Sequence, residues 1–140
     1  MDIPTKNRRK FIPIVVVAST AIVGLYIYLG YKEPKVEFDS NAFKLKGIYG
    51  VNIPFAEIAR VDTIRWREMP AISIRTNGIS LFKVHRGNFR TTDGEKIRLS
   101  IYRGTKPVIR IVDHQGKAYY INRKDAAETR QIFNQLTINN

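Results

Sequence analysis

A mainly β domain behind a membrane-spanning helix is the fold class this sequence predicts, and three observations carry the expectation. Residues 11–31, FIPIVVVASTAIVGLYIYLGY, contain no charged side chain. From about residue 41 apolar and polar residues alternate in short runs separated by glycine-containing turns, the pattern of half-buried strands. After Asp125 the spacing turns helical, with Thr129, Ile132, Phe133 and Leu136 at i, i+3, i+4 and i+7.

The first element follows from length. At about 1.5 Å per residue, residues 11–31 form a helix of about 31 Å, against about 30 Å of hydrocarbon in a bilayer. Pro13 stands near its start, where a missing N–H costs little, and Tyr26, Tyr28 and Tyr31 gather at its far end as interfacial aromatics do. A cleavable signal peptide fits less well. Cutting after the small residues Ser19 to Ala21 would leave IVGLYIYLG as an apolar new terminus, so the segment reads as an uncleaved signal anchor. Lys6, Arg8, Arg9 and Lys10 precede the span against Asp2, whereas Lys32 and Lys35 follow it among Glu33, Glu37 and Asp39. Basic excess marks the cytoplasmic side, which predicts a single-pass protein of the cytoplasmic membrane with its N-terminus inside and its C-terminal domain outside.

The chain thus divides into a basic N-terminus (1–10), the transmembrane helix (11–31), a short polar linker containing Pro34 (32–40) and a domain over 41–136. In the domain, AFKLK reverses at Gly47–Gly50 into VNIP, a hairpin signal. IARVDTIRW (58–66) is β-branched, and AISIRT (71–76) is expected to end at the turn dipeptide Asn77-Gly78. GNFRTT ends at Asp93-Gly94. Ile97, Leu99 and Ile101 then face one way and Lys96, Arg98 and Ser100 the other. PVIRIVD (107–113) and KAYYINR (117–123) flank the turn HQG as a last hairpin. Asp125 and Glu128 have the spacing of a helix capping box.

Net charge is +12, and residues 32–140 keep 20 basic against 11 acidic residues. A basic domain beside a bilayer is drawn to anionic headgroups by about 1 kcal/mol per basic residue near the surface. The candidate binding residues are Lys44, Lys46, Arg65, Trp66, Arg67, Lys96 and Arg98. The partners this composition admits are the membrane itself, anionic lipid headgroups and a protein. Binding of nucleic acid or another anionic polymer through the basic face is the alternative reading, and scattered aromatics and export count against it.

Catalytic signals are weak. No cysteine is present, which excludes disulfides, thiolate metal sites and cysteine nucleophiles. His85 and His114 lie 29 residues apart and make a poor zinc pair, so no metal and no cofactor is predicted. Gly78, Gly87 and Gly94 lead into β-rich segments rather than a helix, which makes them turn punctuation rather than a phosphate loop. A hydrolase set of Ser80, His85 and Asp93 can be assembled on paper, but no nucleophile elbow surrounds Ser80. The sequence predicts a non-enzymatic protein.

The ordered segments YGVNIPFAEI, ISIRTNG, GNFRTTDGEKIRLSIY, PVIRIVD and GKAYYINRKDAAETRQIF resemble the bacterial pleckstrin-homology-like domain family over roughly residues 41–136. The resemblance implies a strongly bent seven-stranded antiparallel sheet capped at one end by the C-terminal helix, in a membrane-anchored binding or scaffold module. In pleckstrin-homology domains that hold phosphoinositides, a long first hairpin loop carries the basic residues. Here that connection is only Gly47–Gly50, so the resemblance brings no binding residue with it.

Overall fold

A computed structural model describes residues 5–140; the first four residues of the basic N-terminus lie outside them. The first element is helix α1, Thr5–Tyr31. Within its span Asn7–Tyr31, an 18-residue window has a mean hydropathy of 2.2 and is not buried inside the protein, so the helix is long and apolar enough to cross a membrane. A core helix of a soluble protein would bury such a surface. This one meets the domain only over its C-terminal end, from Tyr26 onward.

The remainder is mainly β. Strands β1 (Lys35–Phe38), β2 (Ala42–Lys46) and β3 (Val51–Pro54) form a small antiparallel sheet. Strands β4 (Ile58–Ile64), β5 (Ile72–Leu81), β6 (Val84–Thr91), β7 (Lys96–Tyr102), β8 (Val108–Asp113) and β9 (Ala118–Ile121) form a second sheet in the order β4-β8-β9-β7-β6-β5. All its pairs are antiparallel except β7–β9, which run parallel. Helix α2, Ala126–Asn139, ends the chain.

Three expectations are corrected. Among the described residues there are nine strands in two open sheets, rather than seven in one antiparallel sheet, and β4 and β5 remain as outer edges of the larger one. Residues 32–40, expected as a linker, contain β1, because Val36 and Phe38 find Leu45 and Phe43 opposite them on β2. Asn77-Gly78 does not turn the chain. Strand β5 runs through it, with a register shift between Arg75 and Asn77, and reverses at Phe82, whose φ is 51°. The reason is close approach: Gly78 pairs with Gly87 across β5–β6, and a Cβ on either would overlap the other strand's backbone. The two glycines let the strands touch.

The core has two parts. Phe43, Leu45, Val51 and Ile53 of the small sheet meet Ile58, Ile109, Ile111 and Ile121 of the large one, with Ile132 and Leu136 of α2 packed among them. Thr129, Ile132 and Leu136 are buried and Phe133 partly so, the predicted helical stripe. On the other face of the large sheet, Phe89, Ile97, Leu99, Ile101, Val108 and Tyr120 cluster, with Trp66 and Met69 against them. The N-terminus of α2 is capped by the Asp125 carboxylate, which accepts from the Ala127 N–H at 2.9 Å. Glu128 closes no reciprocal box; it pairs with Arg123 at 3.2 Å.

Candidate functional site

The β6–β7 turn and the β8–β9 turn lie at the same end of the large sheet, because β7 and β9 are parallel neighbours. A cavity of about 770 Å³ opens there, lined by Phe89, Ile97 and Ala118 from the strands and by Gly94, Glu95 and Gly116 from the turns. That volume falls within the range of small-ligand sites. Three cations also line it: Arg90, Lys96 and Lys117.

Register explains why they meet. Arg90 lies opposite Lys96 across β6–β7. Lys117 precedes Ala118, which pairs with Ile97. The cations therefore stand abreast, Arg90 on β6, Lys96 on β7 and Lys117 at the entry to β9, with about 5 Å between neighbouring strands. All three are exposed, and none forms an ion pair with a carboxylate among the described residues. Lys117 instead lies over the Tyr119 ring, 5.2 Å from its centroid. Like charges directly opposite on a sheet repel and destabilise it. An anion at this end of the sheet would relieve that repulsion.

The predicted binding residues scatter. Lys96 lies at the cavity. Arg98, one step further along β7, is part-buried and structural: its guanidinium donates to Asn88 Oδ1 at 3.0 Å and to the Gly50 carbonyl at 2.7 Å, tying the two sheets together. Burial pushes its pKa down, and its Nε has no partner. Lys44 and Lys46 are engaged by Asp39 and Glu37, each at 2.8 Å. Arg65 contributes its backbone N–H to Glu68 Oε2 at 2.8 Å, opening the 3-10 turn Trp66–Glu68. Trp66 is half-buried, and its indole N–H donates to the Thr105 carbonyl at 3.0 Å, away from the cavity. Arg67 stays exposed in the same turn. Sequence reading missed Arg90 and Lys117. Their signal was the pairing of three strands, which no local pattern displays.

Of the set Ser80, His85 and Asp93, two members converge. Ser80 Oγ lies 2.7 Å from His85 Nδ1 as a cross-strand pair. Burial and the neighbouring Arg103 push the His85 pKa down. Asp93 sits in the turn beyond the other end of β6, about 20 Å along the strand. Asp93 therefore does not orient the imidazole, and among the described residues His85 forms no ion pair with a carboxylate.

A different constellation fastens α1 to the domain. Arg86, on β6, is 6% exposed. It donates to the Gly30 carbonyl at 2.6 Å and also to the Lys32 carbonyl, satisfying acceptors that the helix end leaves open. Burial pushes its pKa down to about 10, which keeps it charged at neutral pH. Arg123 donates to the Pro34 carbonyl and lies 3.5 Å from Glu33. Lys124 lies over the Tyr31 ring at 5.2 Å, and the Tyr26 and Tyr49 hydroxyls are hydrogen-bonded.

Comparison with protein-family models, with curated proteins and with solved structures finds no match.

Proposed function

We propose that this protein is a non-enzymatic, membrane-anchored binding module of the pleckstrin-homology-like type, and that it takes an anionic ligand in the cavity at the turn end of its large sheet. The observation that carries the reading is the row Arg90, Lys96 and Lys117, three cations in no ion pair among the described residues, set against the one lining carboxylate Glu95 around a cavity of about 770 Å³. The unaccompanied Ser80–His85 pair supports the non-enzymatic part, since acyl-transfer triads use a third group to orient the base. The hydropathy and exposure of α1 support the anchor. The basic flank before the span supports a cytoplasmic-membrane protein with its domain outside. For nucleic acid the cavity is poorly furnished: Phe89, the aromatic among its lining residues, is buried and offers no stacking platform.

Two arms test the reading on the full chain in neutral-lipid nanodiscs. One adds an acidic peptide, the other replaces a fraction of the lipid by anionic lipid, and backbone amide shifts of Gly94, Gly116 and Lys117 are followed by NMR. Saturable shifts in either arm identify the source of the anion. Shifts in neither arm, or shifts spread evenly over all basic residues, refute the cavity as a binding site.

A further inference from the structure

We propose that α1 and the β domain form one rigid unit, which seats the β2–β3 loop, Gly47–Gly50, in the interfacial layer of the bilayer with Ile48 and Tyr49 as its lipid contacts. This rests on the reading of α1 as a membrane span.

The attachment comes first. From Gly30 to Glu33 the chain is held from several sides at once. Arg86 takes the carbonyls of Gly30 and Lys32. Gly30 itself is buried, with no room for a Cβ beside Ile79 of β5. Glu33 Oε1 accepts from the Lys124 N–H at 2.6 Å, and Pro34 is bound by Arg123. At the next residue, Lys35, β1 begins. No free linker separates span from domain, so the depth of the helix fixes the depth of the domain.

Depth comes next. The domain does not begin where the helix ends. Tyr49 reaches back to Tyr26, five residues before the last residue of α1, or about 7 Å along the axis. Headgroup layers are about 5–7 Å thick on each side of the hydrocarbon. Since residues 11–31 match the hydrocarbon thickness, Tyr26 lies about 7 Å inside its outer boundary. A loop whose Tyr49 hydroxyl reaches that residue is drawn into the boundary region between headgroups and hydrocarbon, where the tyrosines of α1 already gather.

The loop's chemistry suits that depth. Gly-Ile-Tyr-Gly carries no charge. Ile48 is 43% exposed in the protein alone, although it borders Leu29 and Gly30 in the crevice between loop and helix. Lys46, at the base of the loop, is held by Glu37. An amphipathic phenol and an uncovered isoleucine are the side chains that an interface stabilises.

The chain has no cysteine, so one spin label reports one place. Ile48→Cys and Val16→Cys, each labelled with a nitroxide in the full chain reconstituted into neutral vesicles, are compared by collision with oxygen and with a water-soluble nickel complex. At both sites the oxygen-to-nickel ratio is expected to be several-fold above that of the same label free in buffer, and higher at Val16 than at Ile48. A buffer-like ratio at Ile48 with a high ratio at Val16 overturns the seating and leaves the span intact. A buffer-like ratio at Val16 removes the span, and the seating with it. Tyr49→Cys serves as the second loop position should Ile48→Cys perturb the turn.

Discussion

The guanidinium of Arg86, on β6 beside the edge strand β5, donates at 2.6 Å to the carbonyl of Gly30 in the last turn of helix α1, 56 positions earlier in the chain. A buried charge on β6 thus closes the end of α1. Hydrogen bonds from charged donors contribute about 1.5–3 kcal/mol each, and leaving buried carbonyls without partners is costly. Arg86→Met is expected to lower stability by about 2–3 kcal/mol, since relief of the buried charge offsets part of two lost bonds. Arg86→Lys should fall between it and the parent. Denaturant titration of the full chain in mild detergent, followed by near-ultraviolet circular dichroism, measures both. Equal stability of Arg86→Met and parent would show that the clamp is decorative.

Close approach of β5 and β6 makes a second prediction. Gly87 has φ of 119° and Gly94 has φ of 86°, so an alanine is strained at both. Only at Gly87 would its Cβ also strike neighbouring backbone; at Gly94 it meets nothing within 4 Å. Backbone strain of this kind costs about 1–3 kcal/mol. Gly94→Ala should lose about that much and Gly87→Ala clearly more, as read from the unfolding midpoint. A similar loss at the two sites would mean that strain alone, not strand contact, fixes the glycine.

Acid should loosen the small sheet. Asp39 accepts from Lys44 and from the N–H groups of Asn41 and Ala42, which holds its pKa down at about 2 from an ordinary 3.8. A carboxylate depressed in the folded state adds stability above its unfolded pKa and loses it as pH falls through the folded value. The contribution is therefore full above about pH 4 and fades toward pH 2. Asp39→Asn should remove this part of the acid dependence while leaving the rest of the profile in place. An unchanged slope between pH 4 and 2 would contradict the assignment.

Charge at the cavity is testable without knowing its ligand. Lys96→Gln or Lys117→Gln removes one of three abreast cations and relieves repulsion across β6–β7–β9. Each variant should be slightly more stable than the parent, by a few tenths of a kcal/mol, and should bind the acidic probe several-fold more weakly. Stability that falls on neutralising either lysine would mean that the row is compensated after all.

Leu136 anchors α2 between the sheets and is fully buried. Truncation of a buried leucine to alanine costs about 2–5 kcal/mol, so Leu136→Ala should lower the melting temperature sharply. Exposed Ile138, two residues on, should tolerate alanine with almost no change. Comparable losses at both would place the helix elsewhere.

Local patterns in the sequence were read correctly where the forces are local. The stripe Thr129, Ile132 and Leu136 faces the core, and Ile97, Leu99 and Ile101 alternate into it as expected. They failed where tertiary pairing decides. Asn77-Gly78 is a strong turn dipeptide, yet the strand runs through it because Gly87 supplies a surface without a side chain on the opposite strand. Val36 and Phe38 became a strand only because β2 offered Leu45 and Phe43. Much the same holds for the site. Lys44 and Lys46 look free in the sequence and are neutralised by Asp39 and Glu37, brought beside them by β1 and its turn. Lys96 stands out in the sequence, but Arg90 and Lys117, which register brings beside it, do not. Counting cations identifies a basic domain, but only pairing shows which charges remain available.

A helix gripped at its last turn acts as a lever. With α1 read as the membrane span and the domain as rigidly attached to it, a bilayer that thickens or thins would change the helix tilt, and with no hinge between Tyr31 and β1 the whole sheet assembly would swing through the same angle. Membrane thickness would then set the direction in which the cavity looks.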